Sequence, residues 1–155
     1  MADLPITMKL PYPVSANRYW RKLPLRGQKG AREIMVVSDE GKAYKDDIGW
    51  RVKSYGVTAP VSGRVKLDVQ LFPKRPLDWA KRAGGNPLFW DDEVARIDAD
   101  NVPKVLFDAL KGVLFNDDFW VFKFGVEIME PIGEAHVLVH FDRYVRMRDP
   151  QGSLL

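Results

Sequence analysis

The amino-acid sequence predicts a small α/β (α+β) domain, with a mixed sheet of about four strands packed against two main helices. Three observations carry this expectation. Four short stretches alternate apolar and polar residues with a period of two, which sends successive side chains to opposite faces of a strand. Two longer stretches repeat apolar residues every three or four positions, the spacing of a helix with one buried face. The two patterns are interleaved along the chain, as expected when helices cover a sheet.

The first strand is residues 6–10, where Ile6, Met8 and Leu10 alternate with Thr7 and Lys9 until Pro11 and Pro13 end the pattern. Residues 14–37 read as a loop rich in Gly, Pro and basic residues. Ser38 then starts a helix as its N-cap, and Tyr44, Ile48, Val52 and Tyr55 recur at helical spacing up to Gly56. Ser62-Gly63 turns into a strand with Val65, Leu67, Val69 and Leu71 on one face and Pro73 as its stop. Residues 74–97 form a long connection, with a short helix near 78–83 closed by Gly84-Gly85. Within it, residues 77–94 read as a long loop or insertion whose Trp79, Phe89 and Trp90 cover hydrophobic surface.

The most regular helix follows. Val102, Val105, Leu106, Ala109, Leu110 and Val113 form one apolar stripe, with Asn101, Lys104, Asp108 and Lys111 on the other side. Asp100 is its expected cap, and Pro103 is tolerated because first-turn N–H groups lack intrahelical partners. Trp120, Phe122, Phe124, Val126 and Ile128 alternate as a strand. After the turn Pro131-Ile132-Gly133, a strand with Ala135, Val137, Val139 and Phe141 on one face is expected as its antiparallel neighbour. Residues 147–155 read as a frayed tail.

Bulk composition narrows the function. The chain has 155 residues, 46% of them hydrophobic, enough for one domain spanning 1–155 with a real core. No apolar run reaches the length of a bilayer span, and the N-terminus lacks the pattern of a secretory signal. The absence of cysteine excludes disulfides, zinc–thiolate sites and thiol catalysis, so a cytoplasmic protein is expected.

The richest chemistry lies in Asp98-Ala99-Asp100-Asn101-Val102-Pro103-Lys104, followed after one helix length by Asn116-Asp117-Asp118. In extended chain before a helix, Asp98 and Asp100 point to the same side and can share a divalent cation. Lys104 falls one turn along from Asp100, and Asp117 and Asp118 return acidic groups after the helix. Carboxylates gathered in this way repel unless a cation lies among them, and a lysine beside them suits an incoming phosphate. Mg²⁺-dependent attack on a phosphodiester is the chemistry expected, with Mn²⁺ as a substitute. Each residue also has an ordinary explanation. Asp100 serves as a helix cap, Lys104 as the i+4 partner of Asp108, and Asn-Asp-Asp as a polar turn.

Net charge is only +3, but its distribution is uneven. Arg18, Arg21, Lys22, Arg26, Lys29 and Arg32 crowd one early segment. Lys74, Arg75, Lys81, Arg82 and Arg96 precede the acidic motif, and Arg143, Arg146 and Arg148 follow near the end. Basic groups around an acidic centre favour guidance of a polyanion toward metal. Other motifs fit less well. An EF-hand loop begun at Asp98 would need glycine at Pro103 and glutamate at Ala109, and no Walker-type phosphate loop occurs. His136 and His140 read as ordinary sheet residues.

Together these residues resemble the RusA-type Holliday-junction resolvases of bacteria and phages. Leu10-Pro11-Tyr12-Pro13-Val14-Ser15-Ala16-Asn17-Arg18-Tyr19-Trp20-Arg21 is similar to that family's proline- and asparagine-containing start. Ser38-Asp39-Glu40-Gly41-Lys42-Ala43-Tyr44 resembles its Ser-x-x-Gly-x-x-Tyr helix start. The Asp-x-Asp-Asn-x-x-Lys signature is met at Asp98 to Lys104, with Phe107-Asp108-Ala109-Leu110 and the acidic turn following in order. The resemblance implies a homodimer that cuts four-way junction DNA with Mg²⁺. It also implies that Asp98, Asp100 and Asp118 bind metal and that Lys104 assists catalysis, with Asp117 one position from the third carboxylate. The DNA-contacting candidates are Asn17, Arg18, Arg21, Lys74, Arg75, Arg96, Asn101 and Lys104. Two alternatives stay open: a non-catalytic binder of branched DNA, and a metal-dependent phosphoesterase acting on small nucleotides.

Overall fold

A computed structural model describes residues 3–25 and 32–148. The chain order is β1 (Ile6–Pro11), α1 (Ala16–Tyr19), β2 (Trp20–Leu25), β3 (Arg32–Val37), α2 (Asp39–Ser54), β4 (Val65–Phe72), α3 (Trp79–Gly85), α4 (Asn101–Leu110), a 3₁₀ turn (Asp118–Trp120), β5 (Val121–Ile128) and β6 (His136–Arg143). Four strands form a mixed sheet in the order β1-β6-β4-β5, and β2 and β3 form a separate two-stranded sheet. The α+β class, the four-stranded mixed sheet and the two longest helices agree with the sequence reading.

Local chemistry explains where the elements begin. The Ser38 hydroxyl accepts from the Gly41 N–H at 3.0 Å and donates to the Arg18 carbonyl at 2.5 Å, capping α2 and tying it to α1. Tyr44, Ile48 and Val52 form its buried face, and Gly56 supplies the left-handed conformation after its end, at φ 92°. On β4, Val65, Leu67, Val69 and Leu71 are buried, as period-two spacing requires. They meet Val137, Val139 and Phe141 of β6 and Val102, Val105, Leu106, Ala109 and Leu110 of α4 in one continuous core. Among the described residues, no helix is long and apolar enough to cross a membrane.

Four expectations need correction. The strand after the acidic turn does not pair with the last one: β5 lies parallel to β4, and β6 lies between β4 and β1, antiparallel to both. The connection after β5 is long enough to pass over β4, and β6 is the more buried strand, so it takes the interior position. The segment read as a loop contains the β2–β3 hairpin. Those strands pair mainly with each other and leave β3 largely exposed, so no alternation marks them. Val113 lies beyond α4, which ends at Leu110 before Gly112 turns the chain at φ 77°. Asp100 stands at the N-cap position, but its backbone is already α-helical (φ −73°, ψ −20°) and its side chain makes no capping bond. Arg26 and Lys29 of the basic segment, and residues 149–155 of the expected tail, lie outside the described residues.

The 77–94 connection is ordered by aromatic contacts. Trp90 is buried and its Nε1 donates to Glu130 Oε1 at 2.6 Å, while Trp79 packs against Trp90 and under the Arg75 guanidinium at 4.3 Å. Trp90 thus covers hydrophobic surface as expected, whereas Phe89, for which the same was expected, stands 60% exposed.

Candidate active site

The acidic segment enters α4 through a turn rather than an extended strand. The Asn101 N–H donates to the Asp98 carbonyl at 3.0 Å and the Val102 N–H to the Ala99 carbonyl at 3.3 Å. Any shared direction of Asp98 and Asp100 therefore arises from a tight turn, not from strand alternation. The turn is anchored from behind, since the Ile97 N–H donates to the Tyr12 hydroxyl at 2.9 Å. Burial raises the Tyr12 pKa, although the Ile97 bond and the Arg96 charge oppose the shift, so the phenol stays neutral. Asp98 and Asp100 are exposed, and Asp100 Oδ2 lies 3.5 Å from Lys104 Nζ one helical turn away. Lys104 thus pairs with Asp100 and not with Asp108.

Asp108 has a different partner. It accepts a hydrogen bond from the hydroxyl of fully buried Tyr19 at 2.5 Å. Burial, reinforced by the bond to Asp108 and its charge, pushes the Tyr19 phenol well above its ordinary pKa and keeps the proton on the tyrosine. This bond ties α1 to the last turn of α4. Farther along the same helix face, Lys111 lies 3.8 Å from Asp117, whose carboxylate also accepts from the Phe119 N–H at 3.1 Å. Asp117 is therefore the polar turn residue that caps the 3₁₀ segment.

Asp118 lies beyond it. Solvent reaches the side chain, yet surrounding protein atoms raise its pKa most, with Asp117 and Asp108 adding to the effect and Lys111 opposing it. Its carboxyl therefore ionises at lower pH in the unfolded chain than in the folded one. This penalises the fold as pH rises from the ordinary value of 3.8 through the raised folded value. Asp118→Asn should accordingly raise the melting temperature near pH 7, and the gain should vanish well below that ordinary value. A gain of equal size at acidic pH would show that ionisation of Asp118 is not its cause.

Topology separates the two acidic groups. Pro11, Phe72 and Ile128 mark one end of the sheet, where β4 finishes and the Tyr12-anchored turn begins α4. The opposite end of α4 is fixed beside the start of β4, because the Val61 N–H donates to the Leu114 carbonyl at 2.9 Å. Asp118 follows there, before β5. The eight residue-to-residue steps from Asp100 to Asp108 alone span about 12 Å of helix. Among the described residues, no three acidic or histidine side chains gather closely enough to hold an ion. The turn offers the hard carboxylate oxygens that suit Mg²⁺, and the crowded anions at Asp118 are of the kind that a cation relieves. The donor chemistry fits the metal, but one chain does not assemble the full set.

The DNA-contacting candidates divide into two groups. Lys74 and Arg75 follow β4 directly and share the sheet end of Asp98, Asp100, Asn101 and Lys104. Arg96 immediately precedes that turn, and its Nη1 donates to the Ile97 carbonyl at 3.2 Å. Asn17 and Arg18 belong to α1 and Arg21 to β2, all exposed. Arg18 is held by Glu40 through contacts of 2.5 and 3.1 Å. Sequence reasoning gave no role to Tyr12 or Tyr19, took Asp108 only as an i+4 partner of Lys104, and placed Lys111 only on the polar face of the helix. The spacing of Lys104, Asp108 and Lys111 on one helix face was a usable signal, whereas nothing in sequence joins either tyrosine to the motif.

No curated protein matches the chain significantly. The endodeoxyribonuclease RusA family matches it over residues 11–140, from the end of β1 into β6. That stretch contains the acidic turn, Lys104, the Asn-Asp-Asp turn and each of the eight DNA-contacting candidates, from Asn17 to Lys104. By this match over most of its length, the chain belongs to the endodeoxyribonuclease RusA family.

Proposed function

We propose that the protein is a Mg²⁺-dependent endodeoxyribonuclease that resolves four-way DNA junctions in recombination and repair, acting as a homodimer in the cytoplasm. The observation that carries this reading is the exposed Asp98–Asp100 turn with Lys104 held 3.5 Å from Asp100, in a chain of the RusA family. Lys74 and Arg75 at the same sheet end favour a polyanion there. Mg²⁺, with Asp98, Asp100 and Asp118 as its candidate ligands, would lower the pKa of a water and neutralise charge on the phosphoryl oxygens.

The chain's own groups perform the remaining work. The Lys104 ammonium, 3.5 Å from Asp100, stabilises developing negative charge at the phosphate or leaving oxygen. The Asp100 side chain leaves α4 uncapped, so first-turn N–H groups are available to a phosphate oxygen, and Asn101 orients that ligand. A two-fold dimer suits a junction because two equivalent strands must be cut at related positions.

Lys104→Ala should lower the cleavage rate on the order of 10²–10³-fold, as loss of one transition-state donor does, with little change in junction affinity. Single-turnover cleavage beside a gel-shift titration separates the two effects. A loss confined to affinity would make Lys104 a phosphate anchor. Junction affinity should also fall steeply between low and moderate salt if Lys74, Arg75, Arg96 and their neighbours meet several phosphates. A flat salt response would remove them from the interface.

A further inference from the structure

The 77–94 connection is fastened at two points and open between them. Trp90 is buried and bonded to Glu130, and Trp79 lies under the Arg75 guanidinium. Arg75 is itself fixed to the β5–β6 connection, because its N–H donates to the Gly133 carbonyl at 2.8 Å. These anchors employ both tryptophans and leave Leu77 fully exposed.

A single exposed leucine is ordinary. Leu77, however, lines an open groove of about 450 Å³, a volume suited to one small organic group. Pro76, Val94 and Ala95 supply the rest of its apolar lining, and Lys74, Arg75 and Arg82 bring three cations against the one carboxylate of Glu93. Arg82 is held by Asp78 at 2.9 Å and Arg75 by the Trp79 ring, so two of the cations have fixed positions.

The groove also leads into the acidic turn. Ala95 lies three residues before Asp98, at most about 11 Å away even in extended chain. An occupant therefore sits beside the position at which Asp98, Asp100 and Lys104 would receive a phosphate. An apolar slot with cations at its rim, next to such a position, matches a nucleobase and the phosphate attached to it. In linear duplex the bases are stacked and paired. At the branch point of a junction stacking is interrupted, and a base is lifted out at least cost where its stacking and pairing are already weakened.

We propose that this groove receives one unpaired nucleobase lifted from the branch point, with Leu77 packed against its face and Lys74 meeting its phosphate. The proposal rests on the junction-cutting reading above and adds a means of preferring branched to linear DNA that requires no catalysis.

2-Aminopurine, a base whose fluorescence is quenched by stacking, provides the test. It is placed in turn at each branch-point position of a four-way junction, and at the same sequence position in linear duplex. Without divalent metal, so that no strand is cut, saturating wild-type protein should raise the emission at one branch-point position and leave the duplex unchanged. Leu77→Asn should abolish that rise at saturation. It should also narrow the preference for junction over duplex on the order of 10-fold, the share of one stacked base. Leu77→Met, which keeps an apolar side chain, should retain both. Because Leu77 is fully exposed, neither variant should alter the melting temperature, which separates loss of the response from misfolding.

An equal rise in wild type and Leu77→Asn would overturn the assignment to this groove. So would an oligomeric state changed by Leu77→Asn with the DNA response intact, since the groove would then meet protein. Junction cutting with no rise at any branch-point position would overturn the groove and leave the resolvase reading standing. A rise that depends on Leu77, in a protein that cuts no junction with Mg²⁺, would sustain the groove and sink that reading.

Discussion

Asp100→Asn is expected to abolish Mg²⁺-dependent nicking of a four-way junction while leaving junction binding intact or slightly tighter. The residue makes no capping bond, and among the described residues its side chain pairs with Lys104 alone, at 3.5 Å, so its removal should cost the fold little. Asparagine keeps the shape of the side chain but removes the charge that a hard cation needs. It also removes a negative charge from the path of an incoming phosphate and releases Lys104 to meet it. The rate should therefore fall by at least the order of 10²–10³ that one electrostatic catalytic group supplies, with unchanged or improved affinity. Single-turnover assays with labelled junction, beside gel-shift titration, give both quantities. Retained cleavage would remove Asp100 from the site, and lost binding would make it a scaffold residue.

Gly41→Ala is expected to destabilise the fold substantially although it adds a single methyl group. A Cβ at this position would lie 2.4 Å from the Tyr19 carbonyl oxygen and 2.8 Å from Val37 Cγ1. The first contact is with backbone, so no rotamer change relieves it. The same carbonyl accepts from the Ser38 N–H at 2.8 Å, which fixes it against the start of α2. Overpacking of this kind costs about 1–3 kcal/mol. The strain should also reach α4, because Tyr19 carries the hydroxyl that holds Asp108. Urea unfolding should show a lower midpoint with an unchanged slope. An unchanged midpoint would mean that α1 and α2 can separate freely, contrary to the close contact at Gly41.

These two positions show what could be read from sequence and what could not. The Ser-x-x-Gly-x-x-Tyr pattern was legible, and the structure supplies its physical content: Ser38 caps, Gly41 permits close approach and Tyr44 enters the core. The apolar faces of α2, β4, β6 and α4 were legible because one-sided burial imprints a period on the sequence. The neighbours of β5 were not, because β4 and β6 both offer apolar faces and periodicity carries no information about which strands adjoin. The β2–β3 hairpin left little trace because, apart from Trp20 and Val37 at its base, its residues are mostly exposed and do not face the core. At the site, the Asp98-x-Asp100 and Lys104 spacing was readable within one helical turn. The Tyr12 and Tyr19 anchors come from positions 85 and 89 residues away, a separation that only the folded chain closes.

The central claim is that this chain cuts branched DNA in a metal-dependent way. Its most direct test is to incubate wild-type protein with end-labelled four-way junction, linear duplex and single strand of matched sequence, with and without Mg²⁺. Paired nicks at symmetric positions are expected on the junction alone and only with Mg²⁺. Binding without cleavage in either Mg²⁺ or Mn²⁺, or equal cutting of linear duplex, would contradict it.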